Sequence, residues 1–183
     1  MEIQSIYQET IKFATARHLA QNQTIPGTDL PYVVHLSNVA MEILIASQHS
    51  HAFKLDFAIK MALLHDTLED TETTFEEIAI AFGVEVAEGV LALTKDDKLP
   101  KAEKMQDSLR RIKILQKEVW AVKLADRITN LQVPPSHWNT AKKTEYRNEA
   151  IQLLEELTGG NSYLEERLQT QIAAYEKYID PGV

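Results

Sequence analysis

The 183 residues include 27 acidic and 19 basic side chains, and the resulting net charge of −8 argues against a general nucleic-acid-binding protein. The chain has no cysteine, which excludes disulfides, cysteine-ligated zinc and thiol catalysis. No apolar run approaches the length of a membrane span and residues 1–4 do not begin a signal peptide, so we expect a cytoplasmic protein with one domain, residues 1–183.

Apolar residues recur with a helical period along most of the chain. The predicted helices span residues 3–19, 32–46, 55–65, 75–82, 84–93, 101–116, 119–131, 138–157 and 162–178. Either Thr73 with Glu76 or Thr74 with Glu77 would form a capping box at the start of the fourth helix. The β-branched residues fall inside helical patterns, so no strand is predicted. We expect an all-α bundle of about nine helices, with the third and the seventh in its core.

The most informative stretch is residues 62–71, ALLHDTLEDT, in which an apolar helix leads into a histidine and three carboxylates. His65-Asp66 ends the apolar run, and Glu69-Asp70 follows it closely. Burying such groups is costly unless they have a partner. Imidazole nitrogen and carboxylate oxygen together suit a divalent transition metal. The alternative is that His65 is an ordinary core histidine and that the acids form a helix end and a turn.

A second carboxylate of interest is Asp126, which interrupts the apolar helix of residues 122–131, VKLADRITNL. Aspartate is a poor helix former and a poor core residue, so a partner must compensate its charge. A metal ion is one such partner, and Arg127 or Lys123 is the alternative. Asn130 lies four residues later on the same helix face, where it could orient the carboxylate or contact a ligand.

Basic residues are concentrated in one segment of this acidic chain. Between Lys95 and Arg147 lie 13 of the 19 Lys and Arg residues but only 7 of the 27 acids, so this segment carries +6 and the remainder −14. Such a distribution favours a small anionic ligand over a long polyanion. The alternative is that these charges cover solvated helix faces.

His35 in the second predicted helix, His65-Asp66 and Asp126, in that order on an all-α chain, resemble the HD-domain phosphohydrolases. The resemblance is more specific to the hydrolase domain of RelA/SpoT enzymes and to the free-standing small alarmone hydrolases of the metazoan SpoT homologue type, and it covers nearly the whole chain. The segments that carry it are residues 27–35 (GTDLPYVVH), 62–71, 94–101 (TKDDKLPK) and 122–127 with Asn130.

This resemblance implies a Mn²⁺-dependent enzyme that hydrolyses the 3′-pyrophosphate of (p)ppGpp to GDP or GTP and pyrophosphate. Some members of the small class also act on NADPH. The implied metal ligands are His35, His65, Asp66 and Asp126, and Glu69 and Asp70 would position the attacking water or take its proton. The candidate substrate-binding residues are Lys98, Lys101, Asn130, Lys142, Tyr146 and Arg147, with Trp138 as a further aromatic; core packing is the alternative for Tyr146 and Trp138.

The chain departs from the family pattern at two places. Gln23-Thr24 stands where the family usually has an Arg-Lys pair, and the resemblance implies that this pair recognises the base. Leu36 follows His35 where the family usually has proline. We therefore expect a metal-dependent nucleotide phosphohydrolase with relaxed selectivity for the base. The rival functions are another HD nucleotide phosphohydrolase, such as a 5′-nucleotidase or an NADPH phosphatase, and a non-catalytic nucleotide sensor. The sequence leaves the oligomeric state open.

Overall fold

The computed structural model describes residues 2–180, and apart from one isolated bridge between Thr24 and Pro31 their regular secondary structure is helical. The helices are α1 Ile3–Ala20, α2 Val33–Gln48, α3 Leu55–Leu64, α4 Thr67–Asp70, α5 Phe75–Phe82, α6 Val84–Leu93, α7 Lys101–Lys113, α8 Lys117–Asn130, α9 Thr140–Glu156 and α10 Ser162–Tyr175, with a 3₁₀ helix over Glu176–Tyr178. The prediction of an all-α bundle of about nine helices is confirmed, since the additional α4 is a single turn. None of the described helices is both long and apolar enough to cross a membrane.

Local sequence signals set several helix ends. The Thr74 hydroxyl accepts the Glu77 N–H and the Glu77 carboxylate accepts the Thr74 N–H, so the second of the two predicted capping boxes is the one that forms. Gly83 separates α5 from α6 with a φ of +98°, which favours glycine because it has no Cβ. Asn139 accepts the Lys142 N–H and therefore begins α9 two residues later than the apolar pattern predicted.

Helices α3 and α8 form the centre of the core, as predicted for the third and seventh helices. Helix α3 packs against α1, α2, α6 and α8, and its residues from Phe57 to Leu64 are buried except for Lys60. Helix α8 is buried on most sides by α2, α3 and α10. Complete burial of one leucine contributes about 1.5–3 kcal/mol. Truncating Leu63 to alanine should therefore cost about 2–5 kcal/mol, once the cavity is included.

The mutual packing of α2, α3 and α8 brings three chain-distant polar residues together. His35 lies in the first turn of α2, His65 directly follows α3, and Asp126 lies in the third turn of α8. All three are buried. The bundle therefore gathers histidine and carboxylate side chains at the place where its core helices meet.

Candidate metal centre

One ligand atom from each of these three residues approaches a common point. His35 Nε2 lies 3.2 Å from His65 Nε2. Asp126 Oδ1 lies 3.5 Å from His35 Nε2 and 3.6 Å from His65 Nε2. An ion bound about 2.1 Å from each atom would span such spacings. The donor set therefore fits a single divalent metal ion, and its mixture of imidazole and carboxylate suits a transition metal.

Asp66, the fourth predicted ligand, approaches the same point from the side of the two histidines. Its Oδ2 lies 2.9 Å from His65 Nε2 and 3.7 Å from His35 Nε2. The same oxygen accepts a 2.5 Å hydrogen bond from the Tyr32 hydroxyl. The compact group of potential ligands consists of the other three residues, so metal coordination by Asp66 stays a prediction.

Neighbouring groups hold the potential ligands in orientation. His65 Nδ1 lies 2.9 Å from the Ala62 carbonyl, which can only accept, so neutral His65 carries its proton on Nδ1 and leaves Nε2 free for a metal. Asn130 Nδ2 donates to Asp126 Oδ1 at 2.6 Å, and Lys123 Nζ donates to Asp126 Oδ2 at 3.2 Å. Of the two alternative partners that the sequence offered for Asp126, Lys123 is therefore the one in contact.

Charges within the cluster shift the pKa values in directions that favour a bound cation. Burial lowers the pKa of His65, but the charge of Asp66 and hydrogen bonds to Asp126 and Asp66 raise it to about 10. Burial raises the pKa of Asp66, yet the charge and hydrogen bond of His65 bring it below its ordinary value. Burial alone would raise the pKa of Asp126, but Lys123 and the two histidines hold it well below its usual range. Without a metal the cluster therefore retains a proton, which a metal ion would replace.

The predicted catalytic pair, Glu69 and Asp70, lies in α4 at the edge of this cluster. The Glu69 carboxylate accepts hydrogen bonds from the backbone N–H of Lys95 at 3.0 Å and from its ammonium at 2.9 Å. Burial and the charges of Asp66 and Glu69 raise the pKa of Asp70 to about 6. Sequence reasoning did not single out Lys95, because it lies in the connection between α6 and α7 and belongs to no periodic pattern.

A basic cavity of about 350 Å³ lies beside the cluster. Its basic lining residues are Lys95, Lys101, Lys104, Lys123, Arg127 and Lys142. Two predicted substrate contacts, Lys101 and Lys142, are thus brought together, and Tyr146 lines the same cavity. Glu149 is the only acid among the lining residues, so the cavity carries a strong positive charge suited to phosphate groups.

An uncharged cavity of about 340 Å³ reaches the cluster from the side of α2. His35 and Asn130 line it, and it shares Trp138 and Tyr146 with the basic cavity. The rings of these two aromatics meet edge-on with centroids 5.0 Å apart, and the Arg127 guanidinium lies 4.6 Å from the Tyr146 ring centre. Trp138 and Tyr146 therefore form a wall common to both cavities.

Neither Lys98 nor Arg147 lines these two cavities. Lys98 is exposed in the connection between α6 and α7. Arg147 Nε lies 2.8 Å from Glu176 Oε2 and also donates to the Ile172 carbonyl. Arg147 follows Tyr146 on α9, and consecutive helix residues point about 100° apart, so Tyr146 faces the cavities while Arg147 faces α10. Substrate contacts by Lys98 and Arg147 therefore stay predictions, made outside these two cavities.

The loop with Gln23-Thr24 is joined to the metal cluster through residues that sequence reasoning missed. The Gln23 side-chain oxygen pairs with Nδ1 of the buried His18, and burial lowers the pKa of this histidine. The His18 ring lies 4.8 Å from the Tyr32 ring, whose hydroxyl binds Asp66. The sequence could have identified Tyr32, because it precedes His35 by three residues and therefore lies on the same face at the start of α2.

Comparisons with known proteins cover most of the chain. Residues 11–159 match the family model described as the HD domain. A Danio rerio protein named guanosine-3′,5′-bis(diphosphate) 3′-pyrophosphohydrolase MESH1 is 37% identical over 170 residues, covering 90% of this chain and 91% of the relative. The Homo sapiens protein of that name is 34% identical over 166 residues, covering 88% and 89%.

A solved structure is similar over the same extent. It belongs to a metazoan ortholog of SpoT that hydrolyzes ppGpp and plays a role in starvation responses. The two folds agree with a TM-score of 0.79 at 26% identity, and the match covers 92% of this chain and 94% of the other. The matched family region includes His35, His65, Asp66 and Asp126.

Proposed function

The chain belongs to the HD domain family, and we propose that it is a metal-dependent hydrolase that removes the 3′-pyrophosphate of ppGpp and pppGpp to give GDP and GTP. The observation that carries the proposal is the meeting of His35, His65 and Asp126 beside a cavity with six basic side chains. Such a site offers cationic groups to more than one phosphate of a ligand. Relatives at 34–37% identity over most of their length bear the name of this activity.

We propose that His35, His65, Asp66 and Asp126 hold one divalent ion and that this ion is Mn²⁺. When bound, such an ion lowers the pKa of water and neutralises charge on a phosphate oxygen. The spacing of the three closest ligand atoms, 3.2 to 3.6 Å, supports a single shared ion. The Tyr32 hydroxyl would keep Asp66 turned towards the histidines.

The reaction adds water across the bond between phosphorus and the 3′ oxygen, so a hydroxyl joins phosphorus and a proton ends on the 3′ oxygen. A base near the cluster has to take a proton from the attacking water. Asp70 suits this role, because burial and the charges of Asp66 and Glu69 raise its pKa to about 6, closer to neutral pH than the pKa of an ordinary carboxylate. Glu69, held by two hydrogen bonds from Lys95, would orient the water.

Substrate phosphates beyond the one at the metal would bind in the basic cavity, with Lys101 and Lys142 as contacts. Lys142 at present pairs with Glu145 at 2.8 Å, three residues along the same helix. Exposed pairs of this kind contribute only about 0–1 kcal/mol, so a phosphate can replace the carboxylate at little cost. Tyr146 and Trp138 offer ring faces at the common wall for stacking with a base or a ribose.

Recognition of the base is proposed to be permissive. The loop before α2 carries Gln23-Thr24 in place of a basic pair, and Gln23 is engaged by His18. The cavity next to that loop has no charged lining residue. We therefore expect the adenine analogue of ppGpp to be cleaved as well as ppGpp. We also propose a cytoplasmic location and a single domain for residues 1–183.

A substrate comparison tests the function. One preparation with added Mn²⁺ is assayed for kcat/KM on ppGpp, pppGpp, the adenine analogue, NADPH and GMP, and the products are identified as pyrophosphate or phosphate. We expect pyrophosphate from ppGpp and from its adenine analogue, with GMP as a poor substrate. If GMP were the best substrate and ppGpp stayed intact, the protein would be a 5′-nucleotidase. Asp126→Asn, prepared in parallel, controls for contaminating activity.

A further inference from the structure

Two cations of the basic cavity differ from the others because the carboxylates that they bind belong to the metal cluster or lie at its edge. Lys95 binds Glu69 through both its backbone N–H and its ammonium, and Lys123 binds Asp126 Oδ2 at 3.2 Å. Both lysines also line the basic cavity. We call Lys95 and Lys123 the boundary lysines, because each binds one of these carboxylates and also lines the cavity.

Two other lysines of the same cavity provide a contrast. Lys104 pairs with Asp97 at 2.6 Å, and Lys142 pairs with Glu145 at 2.8 Å. Neither acid belongs to the metal cluster, and the Asp97 side chain is 88% exposed. Lys104 and Lys142 therefore contribute charge to the cavity without neutralising a carboxylate of the cluster.

The charges in and around the metal cluster sum to a value that one divalent ion would neutralise. The metal cluster and the neighbouring helix α4 carry four carboxylates, those of Asp66, Glu69, Asp70 and Asp126, of which Glu69 and Asp126 contact the boundary lysines. With neutral histidines, these carboxylates exceed the two lysines by two negative charges. Histidines must be neutral to bind a metal. One divalent ion then brings the cluster to neutrality, and a phosphate approaching from the cavity meets no net negative charge.

We propose that Lys95 and Lys123 are positioning residues with opposite effects on the two ligands of the site: they weaken metal binding and strengthen binding of the anionic substrate. Each ammonium competes with the metal for the charge of a cluster carboxylate, and the same ammonium faces a phosphate in the cavity. The effect on metal binding, the metal half of this inference, does not depend on the proposed function, whereas the effect on substrate binding rests on it.

The environment of each lysine determines how strongly its charge acts. The Lys123 and Asp126 side chains are only 12% and 10% exposed, so water screens their interaction little. Lys95 is 45% exposed, and its effect should be smaller. Burial lowers the pKa of Lys95, but Glu69 and, beyond it, Asp126 and Asp66 raise it above its ordinary value. The charges of the predicted metal ligands therefore reach this ammonium.

Replacing the boundary lysines by methionine removes the charge and keeps most of the side-chain length. In Lys95→Met the backbone N–H that binds Glu69 remains, so the carboxylate keeps one of its two anchors. Titration of metal-free protein with Mn²⁺ by calorimetry should give a Kd lowered by about 3- to 10-fold for Lys95→Met and by more for Lys123→Met, as expected for one unit charge a few ångströms away. For both variants KM for ppGpp should rise about 3- to 10-fold.

Matched variants separate this effect from simple damage to the site. Lys104→Met and Lys142→Met should raise KM and leave the Mn²⁺ Kd unchanged. Lys95→Arg and Lys123→Arg, which keep the charge, should restore both constants. A boundary-lysine variant that binds Mn²⁺ equally or more weakly than the wild type would overturn the inference, because a merely supporting residue would weaken both ligands. If the wild type left ppGpp intact, the proposed function would fall, but the Mn²⁺ titrations need no turnover and would still decide the metal half.

Discussion

Replacing Asp126 by asparagine should abolish most of the stabilisation that the protein gains from Mn²⁺. Asp126 is the ligand that α8 contributes to the group of three, and its Oδ1 lies 3.5 and 3.6 Å from the two histidine nitrogens. The amide keeps the shape but removes the charge, so affinity should fall by at least about 100-fold, beyond the 10–100-fold typical of losing a residue that only orients a ligand. At a metal concentration 100 times the wild-type Kd, binding stabilises the wild type by about 2.7 kcal/mol.

This difference is large enough to measure by thermal unfolding. For a chain of 183 residues, 1 kcal/mol corresponds to about 2–4 °C, so Mn²⁺ should raise the wild-type Tm by about 5–11 °C. The same Mn²⁺ concentration would only equal the Kd of Asp126→Asn or fall below it, and the shift should not exceed about 2 °C. Comparing each protein with and without Mn²⁺ cancels any direct effect of the substitution on stability. Asp97→Asn, at an exposed acid that also pairs with a lysine, serves as the control. An undiminished Mn²⁺ shift in Asp126→Asn would refute the assignment.

Three further substitutions test the other parts of the site. Glu69→Gln should leave Tm nearly unchanged, because its ion pair is partly exposed. It should lower kcat by about 10²–10⁴, because the water that Glu69 orients would no longer be placed for proton transfer, and full turnover would contradict that role. The double change of Lys101 and Lys142 to alanine should raise KM for ppGpp with kcat nearly constant, because both residues would bind the substrate and the transition state equally well. A fall in kcat with KM unchanged would contradict this role. Tyr32→Phe removes the hydroxyl that binds Asp66 and should weaken Mn²⁺ binding about 10–100-fold in calorimetry, whereas unchanged affinity would exclude a role for that bond.

The helices and the closeness of the three metal-binding candidates could be predicted because each depends on strong local signals. The apolar period defines α2, α3 and α8 and the face that each helix turns towards the core. A polar residue at a given place on one of these helices can then occupy only a small region of the folded bundle. His65 directly follows α3, most of whose residues are buried, so its burial followed from its neighbours. Asp126 was conspicuous because it stands in a helix that is otherwise largely apolar.

The side chains around the cluster were harder to predict, because their roles depend on the direction in which a helix or loop presents them. Composition placed both Lys142 and Arg147 in the basic segment, yet one lines the cavity and the other pairs with Glu176. Lys95 precedes α7 in a connection without periodicity, and only the packing of α4 against α6 brings Glu69 to it. Charge counts identify a basic segment but carry no information about which of its side chains converge.

The distribution of charge explains why an acidic protein can select a small polyanion. Six basic side chains line a cavity of about 350 Å³, a volume that holds part of a nucleotide but no polynucleotide. Outside the segment from Lys95 to Arg147 the chain carries −14, which repels a long polyanion lying across the surface. A nucleoside monophosphate would occupy one phosphate position and leave most of the cationic groups unpaired. A nucleotide with diphosphates at two ends can place one at the metal cluster and the other among the lysines, which favours an alarmone over a monophosphate.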